Sequence, residues 1–360
     1  MVGMKSLPSV REMERAWQAR DASYDGLFFL AVRTTGIFCR PTCPARKPLP
    51  RNVAYFTSVA EAVAAGFRAC KRCRPAATDE HPPWAKDLLA QIERAPSARI
   101  TESSLRARGV DPTTARRWFR KHVGMSLGAF ARARRVGAAH KALRSGGRLD
   151  DAVVDSGFAS HSGFREAFAR VFGQAPGKAR ASGSIVFTWL PSPVGPLVVA
   201  ATDDGLCLLE FGEPARLGPQ IEKLRALFDL PAVPGRNRHL DLVERELDEY
   251  FAGQLRDFSV PLVFPGTPFQ ERVWRALLRI PYGATRSYGD VARAVKSPAA
   301  VRAVGTANGA NRLAIVIPCH RVVNTGGKLG GYGGGLHRKK FLLDLERETL
   351  AHESAPSPRP

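Results

Sequence analysis

No run in this sequence is apolar over the roughly 20 residues that a bilayer-spanning helix needs, and MVGMKSLPSVREMERAW at the amino terminus lacks the apolar core of a signal peptide. No membrane role is expected, and a cytoplasmic location is. Acidic residues are also short, with 33 Asp and Glu against 54 Lys and Arg, a net charge of +21. The shortage is uneven. Residues 1–80 hold 13 basic and 7 acidic groups, residues 81–182 hold 19 and 8, and residues 183–360 hold 22 and 18. The middle third therefore carries a field suited to a polyanion, nucleic acid first. A generally Arg-rich composition would produce the same excess with no partner implied. There is no repeat at solenoid period. Cysteine is scarce, with six in the chain. In a cytoplasmic protein these argue against structural disulfides and toward metal binding or chemistry.

What is present divides by composition. The 360 residues are 44% hydrophobic and 24% charged, which fits several globular domains. Residues 1–80 contain four of the cysteines. PPWAK at 82–86 opens an Arg- and Ala-rich helical stretch over 85–180. GKARASGS (177–184) reads as a linker. From 185, short alternating runs punctuated by Gly and Pro read as strands, followed by helical patterns near 237–252 and 268–280. The last ten residues, 351–360, have no apolar pattern and are expected to be disordered.

TTGIFCRPTCPARKP places three residues between Cys39 and Cys43, and AAGFRACKRCRP places two between Cys70 and Cys73, with 26 residues between the pairs. Two close pairs at that separation have the form of a zinc site, and spacing alone favours a closed structural one. Four thiolates on one Zn2+ carry a net charge of −2, an electron-rich centre set among Arg40, Arg46, Lys47, Arg68, Lys71, Arg72 and Arg74, which suit DNA phosphates. DGLFFLAVRTTGIFCRPTCPARKPLPRNVAYF, with the second cysteine pair, closely resembles the N-terminal domain of the Ada family, bacterial adaptive-response methyltransferases and transcriptional activators. The resemblance implies that Cys39 is both a zinc ligand and the acceptor of a methyl group from a DNA methylphosphotriester. Cys43, Cys70 and Cys73 match the other three ligands.

ITESSLRARGVDPTTARRWFRKHVGMSLGAFARARRVGAAHKAL reads as helix, turn, helix and a longer helix. Gly109 and Val110 make the turn, Asp111 is the N-cap and Pro112 the first helical residue. Trp118, Phe119 and Val123 form the apolar face, and Arg116, Arg117, Arg120 and Lys121 face outward for DNA. LDDAVVDSGFASHSGFREAFARVFGQAP repeats the unit with Gly157 and Phe158 in the turn, Ser160 or Ser162 at the next helix start, and Arg165 and Arg170 flanking Phe164, Phe168 and Phe172. Two such units resemble the double helix-turn-helix of AraC-type regulators, which implies a recognition helix of each in successive major grooves. Arg108 stands where that family has a small residue, and a disturbed first turn is expected.

IPCHRVV (317–323) puts a nucleophile and a base side by side in an apolar, strand-like run, where a strand would point them to opposite faces. Either a turn after Pro318 or a bridging water would bring them into one reaction. With TPFQERVWRALLRIPYGATRSYGDVARAV, SPAAVRAVGTANGANRLAIVIPCHRVV and GKLGGYGGGLHRKKFLLDLE, the region resembles the O6-alkylguanine-DNA alkyltransferases over about 185–350. The resemblance implies an RNase H-like subdomain at 185–265 and a winged-helix-like catalytic domain at 266–350. It implies Cys319 as methyl acceptor from O6-methylguanine and O4-methylthymine, His320 as base through a water, and Glu346 as its orienter. It also implies Asn311 as the hinge residue, Tyr288 rotating the nucleotide and Arg302 replacing the flipped base. GGYGGG is richer in glycine than the family pattern, which points to a looser loop. Cys207, in GLCLLEF, reads as core packing.

The expected whole is multi-domain α+β: a zinc-binding α/β domain, an all-α double helix-turn-helix, and the two alkyltransferase subdomains. The expected partners are double-stranded DNA, damaged and promoter, and RNA polymerase, with the protein a monomer. Two other classes stay open from the residues: a repair protein without activation, and a zinc-thiolate redox regulator joined to a Cys–His hydrolase, for which substrate turnover would be the sign.

Overall fold

The computed structural model describes residues 8–76, 81–212 and 214–354. Its chain forms two compact units. One joins residues 1–79 with 268–311 and 317–360, and the other joins 80–267 with 312–316.

The first unit begins with α1 (Val10–Ala19) and a four-stranded sheet of β1 (Phe29–Val32), β2 (Ile37–Cys39), β3 (Val53–Phe56) and β4 (Arg68–Ala69), in the order β3-β1-β2-β4. α2 (Val59–Ala64) lies between β3 and β4. β1 pairs antiparallel with both neighbours, while β2 and β4 are parallel. Met13, Trp17, Phe28 and Leu30 form a core that reaches Cys39 and Cys70.

The second unit opens with seven helices: α3 (Pro83–Arg94), α4 (Glu102–Arg106), α5 (Pro112–His122), α6 (Leu127–Arg144), α7 (Leu149–Asp155), α8 (His161–Phe172) and α9 (Pro176–Ala179). Their starts are locally encoded. Asp111 accepts the Thr114 N–H at 2.7 Å with Pro112 as the first helical residue, and Ser160 accepts the Gly163 N–H at 3.1 Å. The expected disturbance at Arg108 is absent. Gly109 takes φ +70°, Val110 N–H donates to Leu105 O at 3.0 Å, and Arg108 is exposed. The side chain at 108 leaves the turn, so its bulk costs nothing there.

The second sheet is β7-β6-β5-β8, built from β5 (Ile185–Leu190), β6 (Leu197–Ala201), β7 (Leu206–Phe211) and β8 (Ala232–Pro234). α10 (Pro214–Phe228) links β7 to β8, and α11 (Arg238–Phe251) follows. Cys207 is 1% exposed, and burial pushes its thiol up to about 12, as fits a packing residue. The helices and this sheet share one apolar core: Leu88, Phe119 and Phe130 cluster with Ile185, Phe187 and Leu208. The expected linker is correspondingly shorter. Ala179 is fully buried and its carbonyl binds His140 Nε2 at 2.9 Å, so 177–179 belong to the helical core despite their small and basic residues.

The first unit resumes with α12 (Pro268–Leu277), β9 (Arg286–Ser287), α13 (Tyr288–Ala294), α14 (Val301–Gly309), β10 (Val322–Val323) and α15 (Leu336–Ser354). β9 and β10 are parallel. α15 takes in Ala351–Ser354, part of the expected disordered tail, because Ala351 continues the helical run of α15 and no proline intervenes before Pro356. Residues 355–360 of that tail lie outside the described residues. Between α14 and Ile317, residues 312–316 cross to the second unit, where Leu313 bridges Leu209 of β7.

Candidate active site and metal centre

β2 ends at Cys39, and a turn closed by Cys43 N–H to Arg40 O at 3.1 Å returns Cys43 toward it. Asp25 pins that turn by accepting the Thr42 amide at 3.2 Å and the Thr42 hydroxyl at 2.5 Å. On the far side Cys70 N–H donates to Phe38 O at 3.0 Å, and the next turn brings up Cys73. The four sulfurs lie within 4.8 Å of one another, and Cys43 and Cys70 are 3.9 Å apart. A tetrahedron of Zn–S bonds of about 2.3 Å has edges of about 3.8 Å, so the set fits zinc. The Arg40 amide donates to Cys73 Sγ at 3.4 Å. A hydrogen bond from Cys39 pulls the Cys73 thiol down to about 5, and the same bond with burial pushes Cys39 up. Arg46, Lys47, Arg68, Lys71, Arg72 and Arg74 are exposed around the cluster.

The run before Cys319 is not a strand. Ile315 has φ +71°, with Val316 N–H donating to Ala314 O at 2.8 Å, the strained hand of the γ-turn. A β-branched residue seldom takes that conformation, which is why the run reads as extended from its composition. Pro318 (φ −78°, ψ 61°) makes the relaxed hand, with Cys319 N–H donating to Ile317 O at 2.7 Å. Cys319–Arg321 then form a 3₁₀ turn. The alternation of a strand therefore does not apply, and a turn, one of the two routes left open by the sequence, follows Pro318.

Asn311 Nδ2 donates to Ile317 O at 2.9 Å and lies 3.1 Å from Cys319 Sγ. Asn308 Nδ2 reaches Cys319 O at 3.5 Å. Cys319 is 5% exposed, while His320 and Glu346 are fully buried. His320 Nε2 donates to Glu346 Oε1 at 2.8 Å, which leaves Nδ1 as the acceptor nitrogen, buried with no partner among the described protein atoms. Burial pushes His320 below its ordinary value against the pull of Glu346, so the imidazole is neutral near pH 7. Burial pushes Glu346 up, but hydrogen bonds from His320 and Arg321 outweigh it and hold the carboxyl at about 2.

Sequence reasoning missed four supports. Arg321 grips both Glu346 oxygens from Nε at 3.1 and 3.0 Å and donates to Ile280 O at 2.6 Å. Gly283 N–H adds a bond to Glu346 at 2.9 Å. Lys339 is fully buried, donates to Val322 O at 2.5 Å, and is pushed down to about 8 by burial. The fourth is Asn308. The signal for Arg321 was a cation inside an apolar run, which needs an acceptor when buried; Lys339, flanked by Arg338 and Lys340, gave none.

Tyr288, first in α13, is half-buried, and its hydroxyl meets Gly331 O at 3.5 Å. Burial and the Cys319 charge push its phenol up. A Cβ on Gly330 would meet the Tyr288 ring at 3.0 Å, so this glycine of GGYGGG is closely packed, whereas Gly331 faces open space. Arg302 is exposed on α14 and is not drawn into the buried cluster. Among the helix-turn-helix cations, Arg117, Arg120, Lys121 and Arg165 are exposed as expected. Arg116 and Arg170 are exposed but paired, with Glu102 at 3.0 Å and Glu166 at 2.7 Å, because each carboxylate lies within reach on a neighbouring turn or helix.

Four family models match the chain: the metal binding domain of Ada over 12–76, a helix-turn-helix domain over 105–182, and the ribonuclease-like and DNA binding domains of 6-O-methylguanine DNA methyltransferase over 185–264 and 268–348. The bifunctional transcriptional activator/DNA repair enzyme Ada of Escherichia coli is 35% identical over 348 residues, covering 93% of this chain and 97% of that protein. The methylated-DNA–protein-cysteine methyltransferase of Mycobacterium leprae is 46% identical over 165 residues, covering 45% of this chain and 92% of that one. A Mycobacterium tuberculosis methyltransferase structure, OGT in complex with DNA, is 42% identical, covers 48% of this chain and 96% of its own, and superposes with a TM-score of 0.40.

Proposed function

The chain belongs to the Ada family, and on that premise we propose which of its residues carry two irreversible methyl transfers. It is a DNA-binding repair methyltransferase and transcriptional activator with zinc as cofactor.

Cys319 is the acceptor for O6-methylguanine. The observation that carries this reading is the neutral His320, fixed by Glu346 through Nε2 and offering a buried, partnerless Nδ1 next in sequence to the cysteine. Nδ1 takes the thiol proton through a water, and Glu346 stabilises the imidazolium that forms. The thiolate attacks the methyl carbon, the C–O6 bond breaks with its electron pair on the guanine, and the thiol proton ends on guanine N1. Asn311 fixes the sulfur and the Ile317 carbonyl in one geometry. The methyl carbon is inaccessible in duplex DNA, so the nucleotide must leave the stack. Tyr288 helps rotate it, and Arg302, free at the surface of α14, fills the gap. O4-methylthymine has the same methyl ether and is a second substrate.

Cys39 accepts a methyl group from a DNA methylphosphotriester, with Cys43, Cys70 and Cys73 as the remaining zinc ligands. Zinc holds the four sulfurs as thiolates when bound. The Cys39 thiolate attacks the methyl carbon, the methyl C–O bond breaks with its electron pair on the phosphate, which leaves as an ordinary phosphodiester anion, and the resulting neutral thioether removes one negative charge from the set. Repulsion of DNA phosphates falls, and promoter binding through the two helix-turn-helix units follows. Each product is a thioether with no usable leaving group, so each cysteine acts once. Recruitment of RNA polymerase, a monomeric state and a cytoplasmic location complete the proposal. The domain limits at 1–80, 85–180, 185–265 and 266–350 are part of it.

The test is stoichiometric. DNA labelled in O6-methylguanine and in phosphotriester methyl groups is incubated with the full chain, and peptides are mapped. One methyl on each of Cys39 and Cys319, without turnover, is expected. Label on Cys319 alone would reduce the zinc centre to a structural one, and label on neither would end the chemical reading.

A further inference from the structure

The second unit contains a cavity of about 590 Å³, far from small for one domain seam, that neither methyl transfer uses. One wall is α3, with Leu89, Ala90 and Arg94, and the other is β5, with Phe187, Thr188 and Trp189. Phe130 of α6 joins the two walls. Its ring lies 5.7 Å from Trp189, edge to face, and Trp189 lies 5.6 Å from Phe187. An aromatic bed of this kind, of this volume, suits a flat molecule of one or two rings.

The polar groups set the sign of the ligand. Glu93 at the cavity is already held by Arg134, at 2.9 and 3.0 Å, and Arg236 is held by Asp241 and Glu244. Both guanidinium groups are thus engaged within the protein, two cations to three carboxylates. Arg94 meets no carboxylate among the described residues, and the Trp189 indole N–H and the Thr188 hydroxyl find no acceptor there. The cavity thus has two exposed cations at its lining, Arg94 and Lys86, and two unused donors beside an aromatic surface. Partly exposed donors of this sort, beside a cation, favour a ligand with acceptor oxygens.

We propose that this cavity binds a small planar aromatic anion, a carboxylate or sulfonate, laid on Phe130 and Trp189 with its charge toward Arg94. The ligand would touch both the helical region and the sheet of the second unit, so its binding tightens the seam between them. The reading does not depend on either methyl transfer.

The probe is 8-anilinonaphthalene-1-sulfonate, titrated into the folded full-length chain by fluorescence. One site is expected. Ala90→Trp, an exposed residue whose enlargement fills the cavity without emptying the core, should weaken binding at least about tenfold, and Arg94→Glu at least about fivefold. Arg279→Glu, the same change in net charge at an exposed position outside the cavity, should leave affinity unchanged. The uncharged analogue N-phenyl-1-naphthylamine should bind more weakly and ignore Arg94→Glu. If Ala90→Trp and Arg94→Glu both bind the sulfonate as well as the parent, or if Arg279→Glu matches Arg94→Glu, the proposal is wrong. Equal binding of the neutral dye would overturn the anion assignment.

Discussion

His320 Nε2 and Glu346 Oε1 are 2.8 Å apart, and neither side chain has any exposure to solvent. Their partnership fixes the tautomer, and burial keeps the imidazole neutral below its ordinary titration range. A base that resists protonation stays competent at lower pH. The rate of Cys319 methylation should therefore hold level as pH falls from about 7.5 to 6.5, where an ordinary histidine of pKa about 6.5 would lose half its base form. His320→Gln should slow single-turnover methylation by about 100-fold, within the usual range for a general base, while leaving DNA affinity unchanged. A rate that halves by pH 6.5 in the parent protein would contradict the neutral assignment.

Glu346 makes a stability prediction with a definite sign. Its carboxyl is held at about 2 against an ordinary 4.5. A lowered carboxylate stabilises the fold fully above its unfolded value and loses that contribution as pH falls through the folded one. At about 1.36 kcal/mol per unit, the group contributes about 3 kcal/mol that fades from pH 4.5 toward 2. His320 acts in the same direction from pH 6.5 downward, because the unfolded imidazole takes up a proton more readily than the buried one. Urea unfolding between pH 6 and 3 should show a smaller pH slope for Glu346→Gln, starting from a lower stability. Parallel slopes would show that the carboxylate carries no such linkage.

Lys339 gives the opposite end of the pH scale. Burial lowers it to about 8 from an ordinary 10.5, so the unfolded chain binds its proton more tightly. Stability should rise between pH 8 and 10 through this group, and Lys339→Met should remove that rise. The same variant loses the donor to Val322 O, which anchors the strand following the Cys–His turn. A parent and variant with the same alkaline slope would place the proton elsewhere.

How far these features can be read from residues alone depends on whether they are local. The N-caps Asp111 and Ser160 follow from a side chain and an amide three residues away, so both helix starts are legible. The four-cysteine set is legible because its spacing is a ligand spacing. Ile315 is not, because Leu-Ala-Ile-Val-Ile has every mark of a strand, and only tertiary packing holds a β-branched residue at φ +71°. Lys339 and Arg321 read as surface charges. Their burial depends on Val322 O, Ile280 O and Glu346, acceptors 17 to 41 positions away in sequence. Ala179 reads as linker until His140, 39 residues back, is seen bonded to its carbonyl.

The zinc centre should fail as a unit. Cys43→Ser replaces a soft thiolate by a hydroxyl that does not ionise, in a set whose sulfurs all lie within 4.8 Å. Bound zinc, measured by elemental analysis after dialysis, should drop well below one per chain. Label transfer to Cys39 should be lost with it, while transfer to Cys319 continues. Retention of full zinc would mean that three sulfurs and water suffice, and the closed-site description would not hold.

The helix-turn-helix cations should not be equivalent, although all four on α5 are exposed. Arg116 is already engaged with Glu102 at 3.0 Å and with Pro112 O at 3.3 Å, so using it on DNA would cost those bonds. Arg117 and Arg120 carry no such commitments among the described residues. If they contact phosphate, Arg117→Ala or Arg120→Ala should lower promoter affinity and reduce the slope of log affinity against log salt by about one each. Arg116→Ala should change the slope by less than half as much. Glu102 keeps its pair with Arg106 at 3.0 Å in that variant, so no newly freed carboxylate adds to the effect. Equal slopes for all three variants would mean that the Arg116–Glu102 pair opens on binding, and the ranking from the free protein would then fail.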